Sequence, residues 1–239
     1  MGPKRQMTKP ALILTRPAPA CVAFAASLPA ALLSRVRVVT SPLLQIRPTA
    51  VPVDLGGIGG VIFTSANGVA HGPKGGTLPA YCVGEATAQA AAAKGWQVAC
   101  YAPDAARLLP MIKAHRPAAP LLHLRGTHQR GDIAERLTQA GLPTRPVVLY
   151  DQQALPLTRD AQAALADGPS IVPLFSPRTA AQFADQACET RRATIIALSP
   201  AVAEALDRTV VQQILIAPEP TATSLRFTLE TAVDWNRLA

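Results

Sequence analysis

A strand-to-helix phrase occurs twice in this chain, and it limits the folds that the chain can adopt. Residues 61–69 (VIFTSANGV) pass from apolar strand formers through small hydroxyl and amide side chains into helix formers. The same order returns at residues 172–180 (VPLFSPRTA), where the apolar run ends in Ser176 and a helix-starting proline. Each phrase predicts a buried strand that turns directly into a helix, as in α/β proteins.

The repeat extends beyond these two corners, in a permuted order. Two further segments are echoed downstream: residues 83–90 by residues 198–205, and residues 100–104 by residues 215–219. The counterpart of residues 121–126 (LLHLRG) instead lies near the start of the chain, at residues 12–17 (LILTRP). We therefore expect two similar domains, one of them closed by the N-terminal strand.

The predicted fold class is α/β, with two similar doubly wound parallel-sheet domains joined by a two-strand linker. We place the discontinuous domain at residues 1–41 plus 153–239 and the continuous domain at residues 47–146. Residues 42–46 and 147–152 are the predicted linker strands, because the first is bracketed by prolines and both have an extended character.

Composition supports folded domains. Of the 239 residues, 49% are apolar and 16% are charged, so the chain has enough apolar material for buried cores. No run of about 20 apolar residues occurs, so we expect no membrane span. Residues 1–10 are expected to form a loose leader without a secretory core, and we expect a cytoplasmic protein.

The four cysteines, Cys21, Cys82, Cys100 and Cys188, have no close pairing in sequence. Each lies in an apolar or helical context, so we expect reduced cysteines that pack in the fold.

The formal charge of +8 indicates the kind of partner. No long block of consecutive basic residues is present, so nucleic-acid binding rests on charge alone and we expect none. A dispersed positive charge suits an acidic small molecule, and it also fits a role in solubility only.

The candidate binding residues follow the predicted strands. Ligands of open parallel sheets bind beyond the carboxyl ends of the strands. The candidates at or just beyond those ends are Arg16, Ser176 and Ser199 in one domain, and Thr64, Ser65, Asn67, Gly84 and Arg125 in the other. If the two rims face each other, they line one cleft.

Several other chemistries lack support. The four histidines are too scattered for a metal site, and we expect neither metal nor organic cofactor. The serine corners lack the flanking glycines of a nucleophile elbow. The glycine cluster at residues 56–60 precedes a strand, whereas a dinucleotide-binding loop follows one.

Taken in order, these segments resemble the uroporphyrinogen-III synthase family. The resemblance is carried by residues 12–17, 63–67, 83–84 with 87–88, 124–126, 148–150, and 217–218 with Thr221 and Ser224. It implies a cofactor-free two-domain enzyme that closes hydroxymethylbilane, a linear tetrapyrrole, into uroporphyrinogen III while inverting the last pyrrole ring. We expect a monomer.

The resemblance also implies roles for single residues. Tyr150 would assist departure of the substrate hydroxyl, although a tyrosine there also suits simple packing. Thr87 would donate to a substrate carboxylate or merely cap its helix. Arg16 and Arg125 would bind substrate anions or serve as surface charge. Val202 departs from the family pattern, which has threonine in this region, so its side chain cannot donate to substrate.

A non-catalytic alternative stays open at this point. A two-lobed binding protein for an anionic small molecule would need the same polar rims and the same positive charge. Tight binding of small anions without turnover of the bilane would favour it.

Overall fold

The computed structural model of the chain describes residues 9–117, 120–128, 131–206 and 209–235. The expected leader at residues 1–10 therefore lies almost wholly outside the described residues. The strands are β1 Ala11–Leu14, β2 Arg37–Thr40, β3 Leu44–Pro48, β4 Gly60–Phe63, β5 Pro79–Val83, β6 Gln97–Ala102, β7 Leu121–Gly126, β8 Thr144–Ala154, β9 Ser170–Leu174, β10 Ala193–Ala197 and β11 Gln213–Ile216. The helices are α1 Ala18–Ala26, α2 Ala30–Leu33, α3 Ala66–His71, α4 Glu85–Ala93, α5 Ala105–His115, α6 Ile133–Gln139, α7 Arg159–Asp167, α8 Pro177–Gln186, α9 Pro200–Glu204 and α10 Ala222–Trp235.

The chain divides into two compact units. Unit 1 comprises the residues up to Gln45 together with those from Ala154 onward, and unit 2 comprises Ile46–Gln153. The chain thus crosses between units twice, once within β3 and once within β8.

The sheet of unit 1 has five strands in the order β11-β10-β9-β1-β2. All four neighbouring pairs are parallel. The N-terminal strand β1 lies beside β9, with Ala11 opposite Ser170. The start of the chain thus completes the sheet of the C-terminal half, as the permuted repeat predicts.

The second sheet has six strands in the order β3-β8-β7-β4-β5-β6. The pairs from β8 to β6 are parallel. Read from the other edge, β6-β5-β4-β7-β8 matches β11-β10-β9-β1-β2, and the strands that echo each other in sequence occupy equivalent places.

Helices cover both faces of each sheet. In β1, Ile13 packs in the core on one face, whereas Leu12 and Leu14 pack in the core on the other. Burial of each such side chain contributes about 1.5–3 kcal/mol, so β1 is stabilised from both sides. Unit 2 has the same arrangement, with Phe63 on one face and Ile62 on the other. These covered parallel sheets confirm the predicted α/β class.

The helix starts depend on local side-chain chemistry. Ser65, Asp104, Thr158 and Ser176 each accept a hydrogen bond from a backbone N–H in the first turn of the helix that follows. Such caps fix where a strand-end loop becomes a helix.

Two sequence expectations about packing are wrong. Cys188 is exposed, because α8 ends at Gln186 and the thiol lies beyond it, where it donates to the Gln186 carbonyl. The apolar spacing predicts a helix over residues 130–140 with Ala140 on its buried face, but α6 ends at Gln139 and Ala140 is exposed. Residue 130, the expected start of that helix, lies outside the described residues.

Candidate functional site

The corner after β4 contains three of the predicted site residues. Ser65 is the N-cap of α3, and its Oγ accepts from the Asn67 backbone N–H at 3.1 Å. This bond engages one lone pair of the Ser65 hydroxyl in capping. The side chains of Thr64, Ser65 and Asn67 are all half-buried at the carboxyl end of the strand.

Thr64 has an unexpected partner. Its Oγ1 lies 3.2 Å from Nε2 of His123, a buried residue in the middle of β7. Burial, with a smaller contribution from the charge of Arg125, lowers the pKa of His123 to about 4. The imidazole is therefore neutral at neutral pH.

Arg125 lies two residues along β7 from His123. Its Nη1 donates to the backbone carbonyls of Gly126, at 2.9 Å, and Thr127, at 3.1 Å. These bonds hold the half-buried guanidinium at the end of the strand. The Nε of Arg125 is buried and has no hydrogen-bond partner among the described residues.

The start of α4 places Gly84 and Thr87 together. Gly84 is the N-cap with a φ of 84°, a conformation that L side chains rarely adopt. Thr87 is buried in the first turn, and its Oγ1 would lie 3.9 Å from a Cβ at Gly84. Thr87 is thus not the N-cap of α4, so capping does not account for its side chain.

Tyr150 lies within β8, opposite Gly126, the last residue of β7. The residue is buried, and its ring centroid is 5.8 Å from that of His71 at the end of α3. A Cβ at Gly126 would lie 2.5 Å from Tyr150 Cε2, so only glycine leaves room for the ring. Within the described residues, no hydrogen bond involves the Tyr150 hydroxyl.

The rim of unit 1 has a different chemistry. The Arg16 guanidinium lies 4.4 Å from the ring centroid of Phe175, and burial lowers its pKa. This cation–π contact fixes the arginine at the end of β1. The thiol of Cys21 donates to the Arg16 carbonyl at 2.9 Å, and burial raises the pKa of that thiol to about 11.

Ser176 and Ser199 are both N-caps in unit 1. Ser176 accepts from the Thr179 backbone N–H at 3.2 Å, whereas the Ser199 side chain makes no capping bond. Val202 occupies the first turn of α9, as Thr87 does in α4, and it is buried in the core. The valine therefore serves packing in unit 1.

Within residues 9–117, 120–128, 131–206 and 209–235, no group of three or more His, Cys, Asp or Glu residues is arranged to hold a metal ion. Among the helices of the described chain, none combines the length and apolar character that crossing a membrane requires.

The structure thus brings Thr64, Arg125 and Tyr150 together on three neighbouring strands: Thr64 follows β4, Arg125 lies near the end of β7, and Tyr150 lies in β8 beside that end. It places Gly84 and Thr87 one strand further along, after β5. The residue that the sequence analysis missed is His123. A polar residue inside the otherwise apolar run LLHL was the available signal, because a buried histidine needs a hydrogen-bond partner.

Fold and site together define a class: a protein of two parallel α/β units with the same strand order, each with hydroxyl groups and an arginine at the strand ends. A profile of the family described as uroporphyrinogen-III synthase HemD matches residues 33–226 of this chain. The chain belongs to the uroporphyrinogen-III synthase family and is an enzyme of tetrapyrrole biosynthesis.

Solved structures have the same fold. Uroporphyrinogen-III synthetase from Helicobacter pylori 26695 is 18% identical, with 95% of this chain and 99% of that chain covered and a TM-score of 0.66. A mutant uroporphyrinogen III synthase from the extremely thermophilic bacterium Thermus thermophilus is 14% identical, with 94% and 99% covered and a TM-score of 0.54. A search of curated protein sequences finds no match.

Proposed function

We propose that this chain closes hydroxymethylbilane into uroporphyrinogen III with inversion of the last pyrrole ring. The observation that supports this most directly is the alignment of Thr64 after β4, Arg125 near the end of β7 and Tyr150 in β8 beside that end, in a chain of this family. A hydroxyl donor, a cation and a phenol side by side suit a polycarboxylate substrate that must lose a hydroxyl group.

The proposed reaction begins with loss of the substrate hydroxyl as water. The pyrrole nitrogens delocalise the resulting positive charge, which gives an azafulvene cation. The substituted carbon of the last ring attacks this cation and forms a spiro intermediate. The spiro bond to the neighbouring methylene carbon then breaks, and the ring closes in the inverted orientation with loss of a proton.

Tyr150 is the proposed proton donor for the departing hydroxyl. Its O–H would donate to the leaving oxygen, and its ring is held by packing against Gly126 and His71. Because the bilane supplies most of the reactivity, the remaining task of the protein is to orient the chain so that closure without inversion does not compete.

The proposed substrate contacts use charge and hydroxyl groups. Arg125 and Arg16 would each bind carboxylates, and Thr64, Ser65, Asn67, Thr87, Ser176 and Ser199 would add neutral donors. Gly84 would let substrate approach the backbone at the start of α4. Charge-assisted hydrogen bonds of this type are about twice as strong as neutral ones. No metal or organic cofactor takes part in the proposed reaction.

Incubation of the protein with freshly prepared hydroxymethylbilane tests the proposal. After oxidation of the products to porphyrins, chromatographic separation should give the type III isomer in excess over the type I isomer from spontaneous closure. Type I alone would refute the proposal. Tight binding of small anions without turnover would favour a non-catalytic binding protein instead.

A matched pair of variants tests the role of Tyr150. Tyr150→Phe removes the phenol proton and keeps the ring, so we expect kcat to fall by about 100-fold or more. Tyr101→Phe is the control, because that side chain is 48% exposed on β6. Equal kcat values for the two variants would remove Tyr150 from the proposed mechanism.

A further inference from the structure

We propose that His123 is a positioning residue that makes the Thr64 hydroxyl a donor toward a carboxylate of the ligand. This inference rests on the proposed function only for the identity of the ligand. It concerns a side chain to which neither the reaction chemistry nor the sequence pattern assigns a role.

The strand register brings the two residues together. Phe63, the last residue of β4, lies opposite Leu124 of β7, so Thr64 emerges beside the end of β7. Side chains alternate along a strand, and Leu122 and Leu124 pack in the core on one face while Leu121 packs on the other. His123 therefore points to the same face as Leu121.

The hydrogen-bond inventory of the imidazole determines its tautomer. A neutral histidine has one N–H donor and one acceptor nitrogen. Nε2 contacts Thr64 Oγ1 at 3.2 Å, whereas Nδ1 is buried without a partner among the described residues. A buried N–H without a partner is rarer than a buried acceptor without one, so the proton belongs on Nε2.

This tautomer fixes the role of the threonine. If Nε2–H donates, then Thr64 Oγ1 accepts, and its hydroxyl proton must point to another group. Thr64 is half-buried just beyond the strand end, which is where ligands of open parallel sheets bind. In the opposite tautomer Nε2 would accept, and the Thr64 hydroxyl would donate its proton to the histidine. Thr64 could then only accept a hydrogen bond from a ligand.

Charge selects the kind of acceptor. Arg125 follows His123 by two residues on the same face of β7, and its positive charge acts on the imidazole. A positive potential beside a hydroxyl donor favours an anion, and a carboxylate is the anionic group of the proposed substrate. Because the ring remains neutral at neutral pH, the direction of the bond between His123 and Thr64 does not change there.

Function and stability separate at this position. A leucine at position 123 would fill similar space on the face of the sheet that carries Leu121, without leaving a polar atom unpaired. His123→Leu should therefore fold with an unfolding midpoint equal to or above that of the wild type, while ligand binding weakens. If His123 served only to stabilise the fold, His123→Leu would have an unfolding midpoint below that of the wild type.

Steady-state kinetics test the inference first with the wild type, His123→Leu, Thr64→Val and the double variant. We expect KM for the bilane to rise about fivefold to tenfold in each variant, with kcat within about twofold of wild type. The double variant should be no worse than the single variants, because both remove the same donor. His123→Gln, which keeps a donor near Nε2, should restore KM to within about twofold. Unchanged KM in His123→Leu, or additive effects in the double variant, would overturn the inference.

Two measurements do not depend on turnover. Two-bond ¹H–¹⁵N correlation spectra of the full chain report the tautomer of each of its four histidines, and His123→Leu identifies the signal of position 123. We expect protonated Nε2, and a protonated Nδ1 would overturn the inference. In His123→Leu and Thr64→Val, the Kd for uroporphyrinogen III should rise by the same factor as KM. Because this titration measures binding without turnover, it tests the inference even if the wild type forms only the type I isomer.

Discussion

Acidification should destabilise unit 2 through His123. Burial, with the help of the Arg125 charge, lowers the pKa of this imidazole to about 4, whereas an unfolded chain has a histidine pKa of about 6.5. Between these two values the unfolded chain binds a proton that the folded chain does not. The stability is therefore fully present above pH 6.5 and is lost as the pH falls toward 4.

The expected magnitude follows from the difference in pKa. Each pKa unit corresponds to about 1.4 kcal/mol, so this residue should remove about 2 kcal/mol of unfolding free energy between pH 7 and pH 5. The loss should approach about 3.4 kcal/mol below pH 4. At pH 7 the ring is neutral in the folded chain and mostly neutral in the unfolded chain, so its titration contributes almost nothing.

Urea unfolding at pH 7 and pH 5 measures this effect. Trp235→Phe leaves Trp96 as the remaining tryptophan of the chain, and Trp96 is buried against Phe63 in unit 2. Its fluorescence therefore reports the unfolding of that unit. Adding His123→Leu should reduce the pH-dependent loss of free energy by about 2 kcal/mol, since all other titrating groups are common to both chains.

A third chain separates burial from the hydrogen bond. Thr64→Val removes the partner of Nε2 but leaves the imidazole buried, so it should keep the pH dependence of the parent chain. If the parent and His123→Leu lose equal free energy between pH 7 and pH 5, the reasoning from burial is refuted.

Three further substitutions have measurable consequences. Gly126→Ala would place a Cβ 2.5 Å from Tyr150 Cε2, so we expect at least about a tenfold loss in the rate of uroporphyrinogen III formation. Gly76→Ala is the control, because the added Cβ has open space there. Equal rates for the two variants would contradict the argument from the Tyr150 ring. Lys94→Met removes an ammonium that donates to three backbone carbonyls at the end of α3, and urea unfolding should show a loss of about 1–3 kcal/mol. Gly84→Ala forces a side chain into a φ of 84° and should lower the free energy of unfolding by about 1–2 kcal/mol. An unchanged free energy in urea unfolding would contradict this prediction.

Local patterns account for what the sequence predicts correctly. Apolar runs that end in a capping residue define the corners at Ser65 and Ser176, because both the strand and the helix start depend on neighbours in sequence. The permuted echo also predicts that β1 joins the sheet of β9. Repeated segments that form equivalent strands must occupy equivalent places if each unit is to bury both faces of its sheet.

Contacts between distant residues are beyond such patterns. Thr64 and His123 are 59 residues apart, and their bond exists because β4 and β7 are neighbours in a defined register. The same holds for Tyr150 and Gly126, where one missing Cβ decides whether the ring fits. Periodicity states which face of an element is buried, but not which side chain lies across from it.

The sequence by itself determined the α/β class, the permuted pairing of β1 and the capped corners, because each follows from apolar periodicity and short-range hydrogen bonding. The tertiary structure alone decided that His123 is buried, neutral and bonded to Thr64. A side chain acquires its pKa and its hydrogen-bond direction from the groups that the fold packs around it, and strand order brings those groups from distant parts of the chain.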